Sequence, residues 1–273
     1  MDMLLKNKNA VIFGGSGAIG GAVARVFARE GANVFIAGRT QSKLDAVAAD
    51  IKAAGGTVET ILVDAFDQEA VNKQVKAIVA KAGSIDIALN AVSVMHDQGT
   101  FVEDLTLEDF MRPVDGFLRT LFITSKAVAP HIGKKGPGVI LVLSTPGSKE
   151  PAAGVIGHCV TCAGVEAFSR VLAAEMAPKN VRVVCIRSHA IADAPAAGSY
   201  TKDLFKTTAE YKEKGNGQSI EKWLPDSPMT RSTLLKRLPT LSEVAETAAF
   251  IASDGAGAMT GAVVNLSCGA VVD

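Results

Sequence analysis

The chain has 273 residues, 28 Lys plus Arg against 28 Asp plus Glu, 48% hydrophobic residues and only 5% aromatics. The charge balance offers no basic excess for nucleic acid or an anionic membrane, and no apolar run is long enough to cross a bilayer. Four cysteines in a chain of this length are too few for a disulfide framework and point to a reducing, cytoplasmic setting, and the short polar start from Met1 to Asn9 is unlike a signal peptide.

Strand-like runs of Val, Ile, Leu and Ala alternate with helical patterns along the chain. Ala10–Phe13 predicts a strand and Ile19–Glu30 a helix, with Ile19, Val23, Val26 and Phe27 on one face. Asn33–Ala37 is the second strand. Ser42 with Asp45 resembles a capping box opening a helix that ends near Gly55. Thr57–Val63, Ile85–Asn90, Val139–Ser144, Val181–Ile186 and Ala262–Leu266 read as further strands. Helices are expected over Gln68–Ala82, over a long stretch interrupted by Pro113 that reaches about His131, and over Cys159–Ala177. Thr240 with Glu243 caps a late one. This rhythm predicts one α/β domain over residues 1–273, a Rossmann-type doubly wound parallel sheet. Asp193 to about Pro239 breaks the rhythm and holds the only Trp and both Tyr. A connection that long is expected to be a lid or binding loop.

Phe13-Gly14-Gly15-Ser16-Gly17-Ala18-Ile19-Gly20 lies between the first strand and the first helix. Gly14, Gly17 and Gly20 allow a tight turn and close approach of a pyrophosphate to the free N–H groups of the helix N-terminus. The second strand ends in Ala37-Gly38-Arg39, where an NAD reader usually places an acid for the ribose 2′-hydroxyl. An arginine fork suits a 2′-phosphate, so NADP(H) is expected rather than NAD(H).

Taken in order, these features resemble the short-chain dehydrogenase/reductase superfamily over nearly the whole chain. Val63-Asp64 is similar to the adenine-contacting site at its third strand, and Leu89-Asn90-Ala91-Val92 to its Asn-Asn-Ala-Gly signature. Leu172 to Pro178 resembles the end of the helix after its active site, and Thr260-Gly261 the pair before its last strand. The resemblance implies a cofactor site of Gly14, Ser16, Gly17, Ile19, Gly20, Arg39, Asp64, Ala65, Asn90, Ala91 and Ile191. It also implies a homo-oligomer, most naturally a tetramer, in keeping with the apolar stretches Phe117–Val128 and Ala270-Val271-Val272. The family's catalytic Asn, Ser, Tyr and Lys, aligned position by position, fall on Phe117, Thr145, His158 and Cys162, and its Pro-Gly after the sixth strand on Ser188-His189.

The replacements keep some chemistry. Imidazole titrates near neutrality without help from a neighbouring cation, so His158 is a candidate for the proton-transfer role, with Thr145 holding a polar substrate atom. His158 is equally a packed helix-start residue. Cys159 and Cys162 form Cys-x-x-Cys at a helix start, where a thiolate pKa can fall, although small buried thiols are the plainer reading. His158, Cys162 and His189 match no common zinc spacing, and no metal is expected. His96, His131 and Cys268 receive no role. The resulting expectation is an NADP(H)-dependent oxidoreductase acting on a small polar organic substrate: an imine, an activated alkene or a carbonyl. The alternatives are a non-catalytic dinucleotide-binding protein and a non-redox isomerase or lyase in the same pocket.

Overall fold

The structure is a computed structural model and describes residues 3–273. Seven strands form one parallel sheet: β1 (Asn9–Phe13), β2 (Asn33–Gly38), β3 (Thr57–Leu62), β4 (Ile87–Asn90), β5 (Gly138–Ser144), β6 (Val181–Ser188) and β7 (Val263–Leu266). Their spatial order is β3-β2-β1-β4-β5-β6-β7. Phe13 pairs with Ala37 on one side and Asn90 on the other. The strand order reverses across β1 and β4, and in such sheets ligands bind outside the strand ends at that point.

Alternation along β1 shows why the sheet is covered on both faces. Ala10 and Ile12 belong to a core with α1 (Ala18–Arg29), α2 (Gln41–Ala53) and α10 (Leu241–Ala252). Val11 and Phe13 belong to a second core with α3 (Gln68–Ala82), α4 (Leu107–Val128) and α5 (Ile156–Met176). Strands buried on both sides must be apolar throughout, which is how these sequences read.

Three local expectations are corrected. Thr40, not Ser42, is the N-cap of α2, and Asp45 accepts from Gln41 instead of closing a capping box. Pro113 does not interrupt α4, which runs unbroken through it. The helix carrying His158 begins at Ile156, three residues earlier than Cys159. The Thr240–Glu243 capping box is present with both reciprocal hydrogen bonds.

Between β6 and α10 the chain folds into α6 (Thr201–Thr207), α7 (Ala209–Lys214), α8 (Ile220–Trp223) and α9 (Pro228–Ser232). Phe205, Ile220, Trp223, Leu224 and Leu238 give this segment a core of its own. It is therefore a packed helical cap on the strand ends, held by buried apolar side chains.

Candidate functional site

One cavity of about 1270 Å³ opens over the strand ends. At its cofactor end the β1–α1 turn is fixed by backbone alone. Gly14 and Gly15 both donate to Ala37 O, at 2.9 and 3.0 Å, and Gly17 donates to Gly14 O at 3.0 Å. Gly14 sits at φ 78°, and a Cβ there would lie 2.5 Å from Ala91 O. Glycine is thus required both by the backbone angle and by the close approach of the β4 end. Helix α1 starts without a side-chain cap and without an acid in its first turn. Its first N–H groups and its dipole are left for an anion, which fits a pyrophosphate.

Gly14, Ser16, Gly17, Ile19, Arg39, Asp64, Ala65, Asn90, Ala91 and Ile191 all line this cavity, as do Thr145 and His158. Gly20 does not. It packs behind the turn, where a Cβ would come within 2.3 Å of Gly14 O. Asn90 is already engaged: its Nδ2 donates to Thr124 Oγ1 at 2.8 Å and its Oδ1 accepts from Val92 N at 3.1 Å, tying β4 to α4. Asp64 accepts from Phe66 N at 3.1 Å and so shapes the loop after β3. Lys43, on α2, lines the cavity beside Arg39 and adds a second cation that spacing alone did not single out.

At the other end, β5 presents Thr145 and the first turns of α5 present His158 and Cys162. Thr145 Oγ1 lies 3.0 Å from His158 Nε2 and 3.2 Å from Cys162 Sγ, and it accepts from Gly147 N at 3.3 Å. The His158 Nδ1 is buried with no hydrogen-bond partner. Phe117 lines the cavity, edge-on to His96 at 5.8 Å between ring centroids.

The electrostatics correct the expectation that His158 titrates near neutrality. Burial, reinforced by nearby His96, pushes it down to about 4, so at neutral pH it is an uncharged donor and acceptor. Burial raises both Cys159 and Cys162, which agrees with the plainer reading of small packed thiols and not with a lowered thiolate. Neither is an activated thiolate. His189 is likewise lowered by burial to about 4, and its Nδ1 accepts from Ala190 N at 2.6 Å. Among the described residues no group of three or more His, Cys, Asp or Glu is arranged to hold a metal ion.

Two features escaped the sequence. The first is His96, which stacks on His158 at 5.1 Å with 7° between the planes. Its Nδ1 donates to Val94 O at 2.9 Å, leaving Nε2 to accept from Gln98 Nε2 at 3.1 Å, so its tautomer is fixed by its partners. A loop histidine with no local constellation gives no signal of this. The second is a buried ion pair between Glu166 on α5 and Arg187 on β6, with side chains 4% and 2% exposed. Glu166 Oε1 accepts from Arg187 Nε at 2.8 Å, from Ser144 Oγ at 3.0 Å and from the Ser148 hydroxyl. Arg187 also forks onto the Asp273 carboxylate at 2.7 and 2.8 Å. The signal was there: a Glu on the inward stripe of α5 and an Arg closing the apolar run Val183–Ile186.

The family described as enoyl-(acyl carrier protein) reductase matches residues 15–270. A 3-oxoacyl-(acyl-carrier-protein) reductase of Chlamydia muridarum is 29% identical over 270 residues, covering 98% of this chain and 99% of the relative. A short-chain dehydrogenase/reductase structure from Burkholderia xenovorans superimposes with TM-score 0.80 at 27% identity, over 98% of this chain and 99% of that one. A short-chain dehydrogenase of Burkholderia cenocepacia in complex with NADP superimposes with TM-score 0.79 at 23% identity, over 98% and 99% of the two chains. With the seven-stranded parallel sheet, the glycine turn and this match along the whole sequence, the chain belongs to the short-chain dehydrogenase/reductase superfamily of nicotinamide-dinucleotide-dependent oxidoreductases.

Proposed function

We propose that this protein is an NADP(H)-dependent oxidoreductase with an altered active site, reducing a small polar substrate: an imine, an activated alkene or a carbonyl. The observation that carries the reading is the single cavity joining the glycine turn at one end to the Thr145–His158–Cys162 cluster at the other. When bound, the nicotinamide supplies the hydride chemistry. Gly14, Ser16, Gly17 and Ile19 hold the pyrophosphate end, and Asp64, Ala65, Asn90, Ala91 and Ile191 line the rest of the cofactor's path. Arg39, just after β2, and Lys43, on α2, two cations lining the cavity, support the choice of NADP(H).

At the reacting end Thr145 and His158 hold the polar atom of the substrate. His158 Nε2 lies 3.0 Å from Thr145 Oγ1, so the two form one polar pair at the reacting end. Since His158 is neutral down to about 4, it orients the substrate and is no imidazolium acid at neutral pH. Without a charged acid or a ready base, an imine that is protonated in water, or a polarised alkene, is served better than an alcohol. Steady-state assays with NADPH and NADH against imines, activated alkenes, carbonyls and simple secondary alcohols test the reading. Reduction that prefers NADPH, with alcohol oxidation at neutral pH slower by about 10² to 10⁴, is expected. Equal use of both cofactors would remove the NADP(H) preference. Brisk alcohol oxidation at neutral pH would overturn the altered site. Tight NADPH binding with no turnover would favour a non-catalytic dinucleotide-binding protein.

Self-association is part of the same proposal. Helices α4 and α5 pack together yet leave Phe122 49% and Val171 61% exposed, and large apolar residues in the open favour a protein partner. A tetramer is expected by light scattering at micromolar concentration, and a monomer mass would refute it. Among the described residues no helix is long and apolar enough to cross a membrane.

A further inference from the structure

The cluster at the end of β5 binds a polar atom but has no group ready to release a proton. His158 is neutral, and the thiol of Cys162 is held protonated by burial. A hydroxyl comes instead from the helical segment between β6 and α10. Tyr200, immediately before α6, lines the same cavity as Thr145, His158 and Cys162. Its ring lies 6.4 Å from that of His96, which itself stacks on His158. At the other end of α6, Thr207 Oγ1 donates to Gln98 O at 3.1 Å and ties the helix to the loop after β4. That loop also carries His96 and Ser93. Ser93 is exposed and lines the same cavity.

We propose that Tyr200 is the proton donor of this site, giving its phenolic proton to the substrate oxygen when a carbonyl is reduced. The proposal rests on the oxidoreductase reading above. The reductant is the reduced nicotinamide dinucleotide named there. As hydride adds to the carbonyl carbon, the C=O π pair moves to oxygen, the Tyr200 O–H bond breaks and a new substrate O–H bond forms. The phenolate left behind is reprotonated from water. Burial pushes the Tyr200 phenol up to about 12. That remains well below an alkoxide, whose conjugate acid is comparable to bulk water at about 16, so the transfer runs downhill in reduction. In oxidation the same phenol must first ionise.

The titratable groups facing Tyr200 are His96 on the β4–α4 loop and Cys162 on α5, with His158 beyond His96. On its own helix Lys202 pairs with Glu221 at 2.8 Å and Asp203 with Lys206 at 3.0 Å. Burial lowers both His96 and His158 and raises Cys162, so the two rings lose their charge at lower pH than a free imidazole and the thiol ionises later than a free one.

Tyr200→Phe tests the proposal. It is expected to cut kcat for ketone reduction by about 10²- to 10⁴-fold, with NADPH affinity unchanged by fluorescence titration and reduction of a cyclic iminium affected far less. Alcohol oxidation by the unmodified protein is expected to rise roughly tenfold per pH unit above neutrality, following the phenolate fraction, and Tyr200→Phe should flatten that slope. A binding readout stands apart from activity. The chain has two tyrosines, so Tyr211→Phe leaves Tyr200 as the one phenol in an ultraviolet pH titration, expected well above 10 and displaced by NADP⁺ with product alcohol. Full kcat in Tyr200→Phe, or an ordinary titration that ligands do not move, overturns the proposal while leaving the oxidoreductase reading intact. Tight NADPH binding without turnover of any substrate sinks that reading and this proposal with it.

Discussion

Replacing Glu166 by Leu is expected to cost about 3–5 kcal/mol of folding stability, the usual penalty for leaving a buried charge without its partner. Arg187 is 1% exposed and spends its Nε and one terminal nitrogen on Glu166. In the variant only the Asp273 contact remains to compensate it. A domain of this kind has about 5–15 kcal/mol in total, so the loss is large and will show as a clear drop in the urea midpoint. Glu166→Leu combined with Arg187→Met removes both charges and is expected to recover most of the loss, because buried pairs are often no better than apolar residues of similar volume. A Glu166→Leu protein within about 1 kcal/mol of the parent would show that the pair is not what holds β6 to α5.

The same carboxylate sets a pH dependence. Burial alone would raise Glu166, but the Arg187 guanidinium and the Ser148 and Ser144 hydroxyls outweigh it and hold the group below its ordinary value of 4.5. A carboxyl lowered by folding contributes its full stability above its unfolded pKa, and that contribution fades as pH falls through the folded value. The network also reaches the site. Ser144 and Ser148 flank Thr145, so Glu166 fixes the turn from which Thr145 meets His158.

The sequence made the fold legible because apolar runs and glycine spacing are local signals. The alternation of β1, the Thr240–Glu243 cap and the Gly14–Gly17 turn each depend on residues within a few positions of one another. What it concealed depends on long-range placement. His96 is 62 positions from His158, and nothing in its neighbourhood announces a stack; Glu166 and Arg187 come together only because α5 lies across β6. Exposure misled in a different way. A free imidazole at His158 would titrate near neutrality, and a helix start alone would lower the Cys159 and Cys162 thiols; spacing carries no measure of the desolvation that opposes both. In each case burial sets the sign of the shift.

Gly20→Ala is expected to weaken NADPH binding about 10- to 100-fold, and Gly17→Ala to reach a similar loss by a different route. The distinction lies in what an added methyl meets. At Gly20 it would lie 2.3 Å from Gly14 O, 2.9 Å from Gly14 C and 3.0 Å from Gly15 Cα, all backbone. The turn has to move, yet Gly14 and Gly15 are pinned to Ala37 O and Gly14 is pressed against Ala91. Overpacking of this kind costs about 1–3 kcal/mol, and each 1.4 kcal/mol that falls on the binding conformation is about tenfold in affinity. Gly20→Ala should therefore lower both the apo melting temperature and the affinity. At Gly17 the added methyl has a single neighbour within 4 Å, Gly14 O at 3.3 Å. The fold can absorb that contact, so the apo protein should melt near the parent temperature while the methyl stands where the pyrophosphate must approach the N-terminus of α1. Thermal denaturation with and without NADPH separates the two effects. Unchanged NADPH affinity in Gly20→Ala would mean that the turn is not the pyrophosphate cradle its hydrogen bonds describe.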